Sequence, residues 1–149
     1  MPSGTSPALT IRLAEAGDSA RLAALAGQLG YPATEAQMAR RLGGVQRLEG
    51  NAVFVAETEG QVAAWIHLRC VPSVMEEAQA EIVGLVVDSA QRGQGIGRRL
   101  VEHAALWARG QGCDSLFLRT NTVRKRAHAF YLGLGFRRVK TQLVLWRPV

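Results

Sequence analysis

Apolar positions along the chain fall into alternating helical and strand periods. Residues 10–13 read as a short strand. After it, Leu22, Leu25, Ala26 and Leu29 recur at helical spacing, with Asp18 as the expected cap and the run Gly30, Tyr31, Pro32 as the stop. Thr34 followed three residues later by Gln37 is a capping box, which predicts a second helix through Met38 and Leu42 that Gly43 and Gly44 close. The β-rich runs 53–57 and 62–68, separated by Glu59 and Gly60, predict an antiparallel hairpin. Past a loop holding Glu76 and Glu77, residues 81–87 are almost continuously apolar and predict a central strand buried on both faces. Leu100, Val101, Ala104, Ala105 and Ala108 then form one helical stripe within 97–108, ended by Gly110 and Gly112. Residues 115–119 are the next strand and complete a β-α-β unit with a parallel pair. A helix over 126–132 stops at Gly133 and Gly135, and 136–139 with 143–146 read as a closing pair of strands. No repeat, low-complexity tract or linker interrupts the pattern. One domain over 9–149 behind a flexible tail at 1–8 is therefore expected.

Composition narrows the class. The chain has 149 residues, 48% of them hydrophobic, which is enough apolar surface for one core. Sixteen glycines against 6% aromatics point to aliphatic packing and tight turns. No stretch approaches the roughly 18 apolar residues of a membrane span, and the first residues lack a basic start followed by an apolar run. A cytoplasmic location is the expectation. Cys70 and Cys113 stand far apart in sequence with no C-x-x-C partner, which predicts buried spectator thiols instead of a zinc site or disulfide framework. The formal net charge of +6 suggests a polyanionic partner. Because Arg92, Arg98 and Arg99 cluster beside glycines and are not interleaved with aromatics, a phosphorylated cofactor fits better than a nucleic acid.

The glycines decide which phosphate loop this is. Walker A requires Gly-Lys-Ser/Thr, and the chain has Gly97-Arg98-Arg99. A dinucleotide fingerprint started at Gly93 meets Arg98 where the third glycine belongs, and Asp114 precedes the second strand where a ribose-binding acid should end it. What remains is Arg92-Gly93-Gln94-Gly95-Ile96-Gly97 at a helix start. Missing side chains there let backbone N–H groups approach phosphate oxygens, and the helix dipole adds positive potential. Arg98 and Arg99 in the first turn would each cost about 0.3–1 kcal/mol against that dipole unless an anion binds.

These residues resemble the GCN5-related N-acetyltransferase (GNAT) family. Residues 81–88 followed by 92–97 look like its central strand and acetyl-CoA pyrophosphate loop. Residues 127–131 with Gly135 and Phe136 look like its C-terminal helix and the Gly-Phe after it. The resemblance implies an α/β (α+β) fold: a mixed, mostly antiparallel twisted sheet of 6–7 strands flanked by about four helices, with a V-shaped splay between two central parallel strands. It implies acetyl-CoA in that gap, with backbone groups of Leu85, Val86 and Val87 on the pantetheine arm, residues Arg92, Gly93, Gln94, Gly95, Ile96, Gly97 and Arg98 around the pyrophosphate, and no metal. Gly84 fits either a bulge beside the ligand or a packing contact.

The implied reaction is direct attack of an amine on the thioester carbonyl, which needs a group to take a proton and a group to return one. Glu81 matches the family's catalytic glutamate. On plain strand alternation it shares a face with Val83, Leu85 and Val87, where desolvation would make it a better base. Its other reading is a solvated strand-end carboxylate. Tyr131 matches the tyrosine that protonates or hydrogen-bonds the departing thiolate, and His128, one turn earlier, shares its face as a relay or a structural histidine. His67 is expected to line the acceptor site without doing chemistry. Asn121 matches a family asparagine near the cofactor, and Arg124-Lys125-Arg126 reads as a 3′-phosphate contact or a solvated helix start. The first helices and the hairpin loop border the acceptor site in family members, which implies Glu76, Glu77 and Tyr31 at its mouth; the other reading of the two acids is solvated loop residues. Residues 29–32 together with 127–131 resemble small-molecule members of the family, which implies a small amine acceptor of aminoglycoside, polyamine or aminoalkylphosphonate type. A protein or peptide amine and a non-catalytic acetyl-CoA-binding module stay open, as does a homodimer paired through the apolar last strand.

Overall fold

The computed structural model describes residues 8–149, so most of the expected tail lies outside the described residues. Strand β1 (Leu9–Leu13) leads to helices α1 (Ser19–Leu29) and α2 (Glu35–Gln46). Strands β2 (Asn51–Thr58), β3 (Gln61–Val71) and β4 (Gln79–Val87) follow, then α3 (Ile96–Gly110), β5 (Leu116–Leu118) and α4 (Lys125–Gly133). The sheet has five strands in sequence order, antiparallel from β1 to β4 and parallel between β4 and β5. This is the expected mixed, mostly antiparallel architecture with fewer strands than the 6–7 expected.

The chain divides into two compact units, Met1–Arg119 and Thr120–Val149. In the first, the β2–β3 hairpin turns through Glu59 and Gly60, both at positive φ (52° and 75°), the pair of values that a twist-matched two-residue hairpin turn demands. One sheet face packs on α1 and α2, where Val53, Val55 and Val86 join Leu22, Leu25 and Leu42 in a cluster. The other face lies under α3, whose buried Leu100, Val101, Ala104 and Ala108 are the predicted stripe. Phe54 meets His103 edge-on at 4.5 Å between ring centroids there.

Some local expectations hold and others are corrected. Asp18 precedes α1 but makes no side-chain cap to it. Its carboxylate accepts from the Glu15 amide (2.7 Å) and from Arg12, closing the turn before the helix. The Thr34–Gln37 capping box forms in both directions, at 3.1 and 3.0 Å. Helix α2 runs through Gly43 and Gly44 to Gln46, because two glycines weaken a helix by roughly 1 kcal/mol each without breaking its hydrogen bonds. Cys70 and Cys113 are not separate spectators: their sulfurs lie 2.9 Å apart, one at the end of β3 and one after α3.

In the second unit, α4 ends with the amides of Leu134 and Phe136 donating to the Tyr131 carbonyl. The expected strands 136–139 and 143–146 do not form. A β-rich run becomes a strand only when an edge pairs with it. Among the described residues none does, and Leu143, Val144, Leu145 and Trp146 are all exposed.

Candidate active site

Strand β4 carries the first part of the site. Its parallel pairing with β5 covers Ala80, Glu81 and Ile82 only. Beyond that point the β5-facing edge of residues 83–87 pairs with no strand among the described residues. On the other side the β3 register slips, from His67 opposite Gly84 to Leu68 opposite Ile82, leaving Val83 as the extra residue of a β-bulge. The bulge shifts the alternation by one. Glu81 therefore shares a face with Gly84 and Val86, and not with Leu85 and Val87 as plain alternation predicts. Gly84 itself is the packing glycine: a β-carbon there would sit 3.1 Å and 3.2 Å from the Trp65 ring.

The end of β4 is clamped. Asp88 accepts from Arg21 and Gln28 of α1 and from the Ala90 amide, while the Gln28 side chain accepts from the Ser89 amide. The Ala90 amide and then Arg21 and Gln28 hold the Asp88 carboxyl below its usual range. The chain then passes through Gly93 (φ 81°) and Gly95 (φ 80°) into α3. Open space lies where a side chain at either glycine would begin. The first helical bond runs from the Arg99 amide to the Gly95 carbonyl (3.1 Å). The amides of Ile96, Gly97 and Arg98 thus have no partner within the helix, which is the anion-binding end of any α-helix. Arg92, Arg98 and Arg99 are exposed around them, and the first turn carries no acid.

Where β4 still pairs with β5, a polar cluster stands on the α1/α2 side of the sheet. Glu81 is only 4% exposed. Its two oxygens accept separately from Arg69 Nε (2.6 Å) and Arg119 Nη1 (2.5 Å). Beside Arg69, His67 Nε2 lies 3.1 Å from Asn51 Oδ1. Burial first, then Arg69, lowers the His67 pKa, with Glu81 opposing, so the imidazole is neutral at pH 7. Sequence reasoning missed Arg69 and Arg119. The available signal was Trp65, His67 and Arg69 at period two in an otherwise apolar strand. The β3–β4 loop, residues 72–78, joins its strands just beyond this cluster and lines an open concavity of about 380 Å³, with Glu76 and Glu77 among the lining residues.

In the second unit, Tyr131 packs edge-on against Phe130 (5.0 Å) and Phe136 (5.4 Å). Burial pushes its phenol up to about 12. His128 Nε2 donates to the Asn121 carbonyl at 2.9 Å, and Asn121 Oδ1 accepts from the Val123 amide at 3.1 Å. Both side chains thus shape the turn into α4.

Residues 22–136 match the acetyltransferase (GNAT) family model, across both units. The chain belongs to the GNAT family. N-acetyltransferase 8B of Mus musculus is 31% identical over 105 residues, 68% of this chain and 45% of that protein, so the chain spans under half the length of this relative. A putative acetyltransferase from Agrobacterium tumefaciens superimposes with a TM-score of 0.83 at 29% identity, over 93% of this chain and 99% of that one. An aminoglycoside N-acetyltransferase solved with CoA shares the fold at a TM-score of 0.84 and 15% identity, over 97% of each chain. Among the described residues no helix is long and apolar enough to cross a membrane.

Proposed function

We propose that this GNAT chain is an acetyl-CoA-dependent N-acetyltransferase that moves the acetyl group to a small primary amine by direct attack within a ternary complex. The observation that carries this is the continuity of the unpaired 83–87 edge with the Gly93–Gly95 turn and the α3 amides. An extended pantetheine arm has two amides that can complete the missing β-ladder along Leu85, Val86 and Val87. Its pyrophosphate then meets the loop formed by Arg92, Gly93, Gln94, Gly95, Ile96, Gly97 and Arg98. Both units act as one catalytic domain in this reading, supported by a family match that runs through both.

Tyr131 serves the departing thiolate. A phenol near 12 holds its proton more tightly than an alkyl thiol of about 8.5, so its role is to donate a hydrogen bond to sulfur and not to surrender the proton outright. Replacing it with Phe lowers kcat about tenfold or more. Proton removal falls to His67. Once nitrogen has bonded to the carbonyl it becomes far more acidic, and a weak neutral imidazole suffices to take its proton. Glu81 has both oxygens engaged by guanidinium groups. Accepting a proton there would break an ion pair, so its role is to hold the arginines. Asn121 stabilises the turn before α4. A homodimer through the exposed 143–146 run is part of this proposal, read out by light scattering.

The test combines calorimetry of acetyl-CoA binding with a thiol-release assay against amino acids, aminophosphonates, polyamines, aminoglycosides and lysine peptides. Release with at least one small amine supports the reading. Tight acetyl-CoA binding without release from any amine favours a non-catalytic module, and release with peptides alone favours a protein acceptor.

A further inference from the structure

Arg69 and Glu81, on the neighbouring strands β3 and β4, meet Arg119, the residue directly after β5. Arg69 is the register partner of Glu81 on β3, and Phe117, two residues before Arg119, is its partner on β5. The carboxylate is buried, but the arginine side chains are 47% and 61% exposed. Each guanidinium gives one hydrogen bond to Glu81 out of five N–H donors. Arg119 is further fixed by the Phe117 ring, 5.4 Å below its central carbon. The result is a preorganised pair of cations with a local charge of one positive. Among the described residues neither arginine has a second carboxylate within ion-pair distance. One guanidinium would satisfy a buried carboxylate's charge, and a buried ion pair adds little stability over an apolar residue. A second, largely exposed arginine held in the same geometry therefore calls for a ligand.

Location supplies the chemistry. In the transferase reading, an arm anchored by its pyrophosphate at the α3 end of β4 would run back along residues 87 to 83, and its thioester end would point toward the β4–β5 pairing at residues 80–82, where this cluster stands. Resting on the transferase reading above, we propose that Arg69 and Arg119 bind an oxyanion carried by the acceptor. The substrate class is then an amine bearing a carboxylate or phosphonate, not a polycation. Arg-carboxylate and Arg-phosphonate pairs use the same forked, charge-assisted hydrogen bonds, and a polyamine would be repelled by the exposed guanidinium groups.

The test uses the full chain and matched acceptors: an amino acid, its methyl ester, an aminoalkylphosphonate, its diethyl ester, and a polyamine. The expected result is a KM for the free acids about 10- to 100-fold below that of their esters, with whichever acid is favoured identifying the oxyanion. Arg119→Gln and Arg69→Gln should each collapse that acid-to-ester ratio toward one. Arg119→Lys should restore it only in part, since it keeps charge without the fork. Acetyl-CoA affinity, measured by calorimetry, should be the same in all three variants, which separates acceptor recognition from misfolding. Esters or polyamines used as well as the free acids would overturn the inference and leave the transferase standing. No thiol release with any acceptor would overturn both.

Discussion

Gly95→Ala tests the phosphate cradle against a matched control, Gly60→Ala. Both glycines have positive φ, 80° and 75°, and at both a β-carbon would meet nothing within 4 Å. The backbone penalty is therefore the same, about 1–2 kcal/mol for a left-handed non-glycine residue. For a chain of this size that lowers Tm by about 2–8 °C in either variant. The two positions differ in what the open space is for. Gly60 caps a surface hairpin, whereas Gly95 precedes the amides of Ile96, Gly97 and Arg98. A methyl group there holds the pyrophosphate off one charge-assisted hydrogen bond, worth about 1.5–3 kcal/mol, so the Kd for acetyl-CoA rises about 10- to 150-fold. Calorimetry on both variants, below their melting transitions, reads the difference. Equal acetyl-CoA affinity in Gly95→Ala and Gly60→Ala would refute the placement of the cofactor.

The remaining predictions concern packing, thiols and acid stability. Gly84→Ala presses a methyl into the Trp65 ring, whose indole N–H donates to the Leu22 carbonyl; thermal unfolding should show a loss of about 1 kcal/mol or more. Gly27→Ala, in α1 with nothing near it, should gain about 0.5–1 kcal/mol. Burial and the neighbouring Cys70 push the Cys113 thiol up to about 11, so alkylation at pH 8 should label Cys70 well before Cys113. Their 2.9 Å contact should let a mild thiol oxidant remove both thiols within one chain; equal labelling rates or intermolecular products would contradict this. Asp18 and Asp88 are held below the usual carboxylate range by Arg12 and by the Ala90 amide with Arg21 respectively. Their folded values lie below an unfolded value of about 3.9, so their contribution is fully present above roughly pH 4–5 and is lost as pH falls through the folded values. Urea unfolding from pH 7 to 3 should show that loss, and Asp18→Asn should flatten it.

Much of the fold was legible because it depends on local periodicity. The α3 stripe, the Glu59–Gly60 hairpin and the Thr34–Gln37 box each rest on residues within one turn or one strand pair. The glycine loop was equally legible, since positive φ and a helix start are local facts. What was not legible depends on pairing across the chain. A one-residue bulge at Val83 reversed the face on which Glu81 lies relative to Leu85 and Val87, and nothing in residues 81–87 signals which residue is extra. The partners of Glu81 come 12 and 38 residues away, so sequence alone offered a desolvated carboxylate and not an ion-paired one. The apolar run 143–146 has strand propensity, but propensity does not supply an edge to pair with. Cys70 and Cys113 meet only because Cys70 ends β3 close to where Cys113 leaves α3.

Direct transfer of acetyl from CoA to an amine is tested most directly by following acetyl-CoA labelled in the acetyl carbonyl, incubated with the protein and a free amino acid or aminophosphonate. Direct attack predicts labelled amide and free CoA thiol in equal amounts, with no label on the protein at any time. Label retained in the thioester with every amine, or accumulating on a protein side chain before reaching the amine, would contradict it.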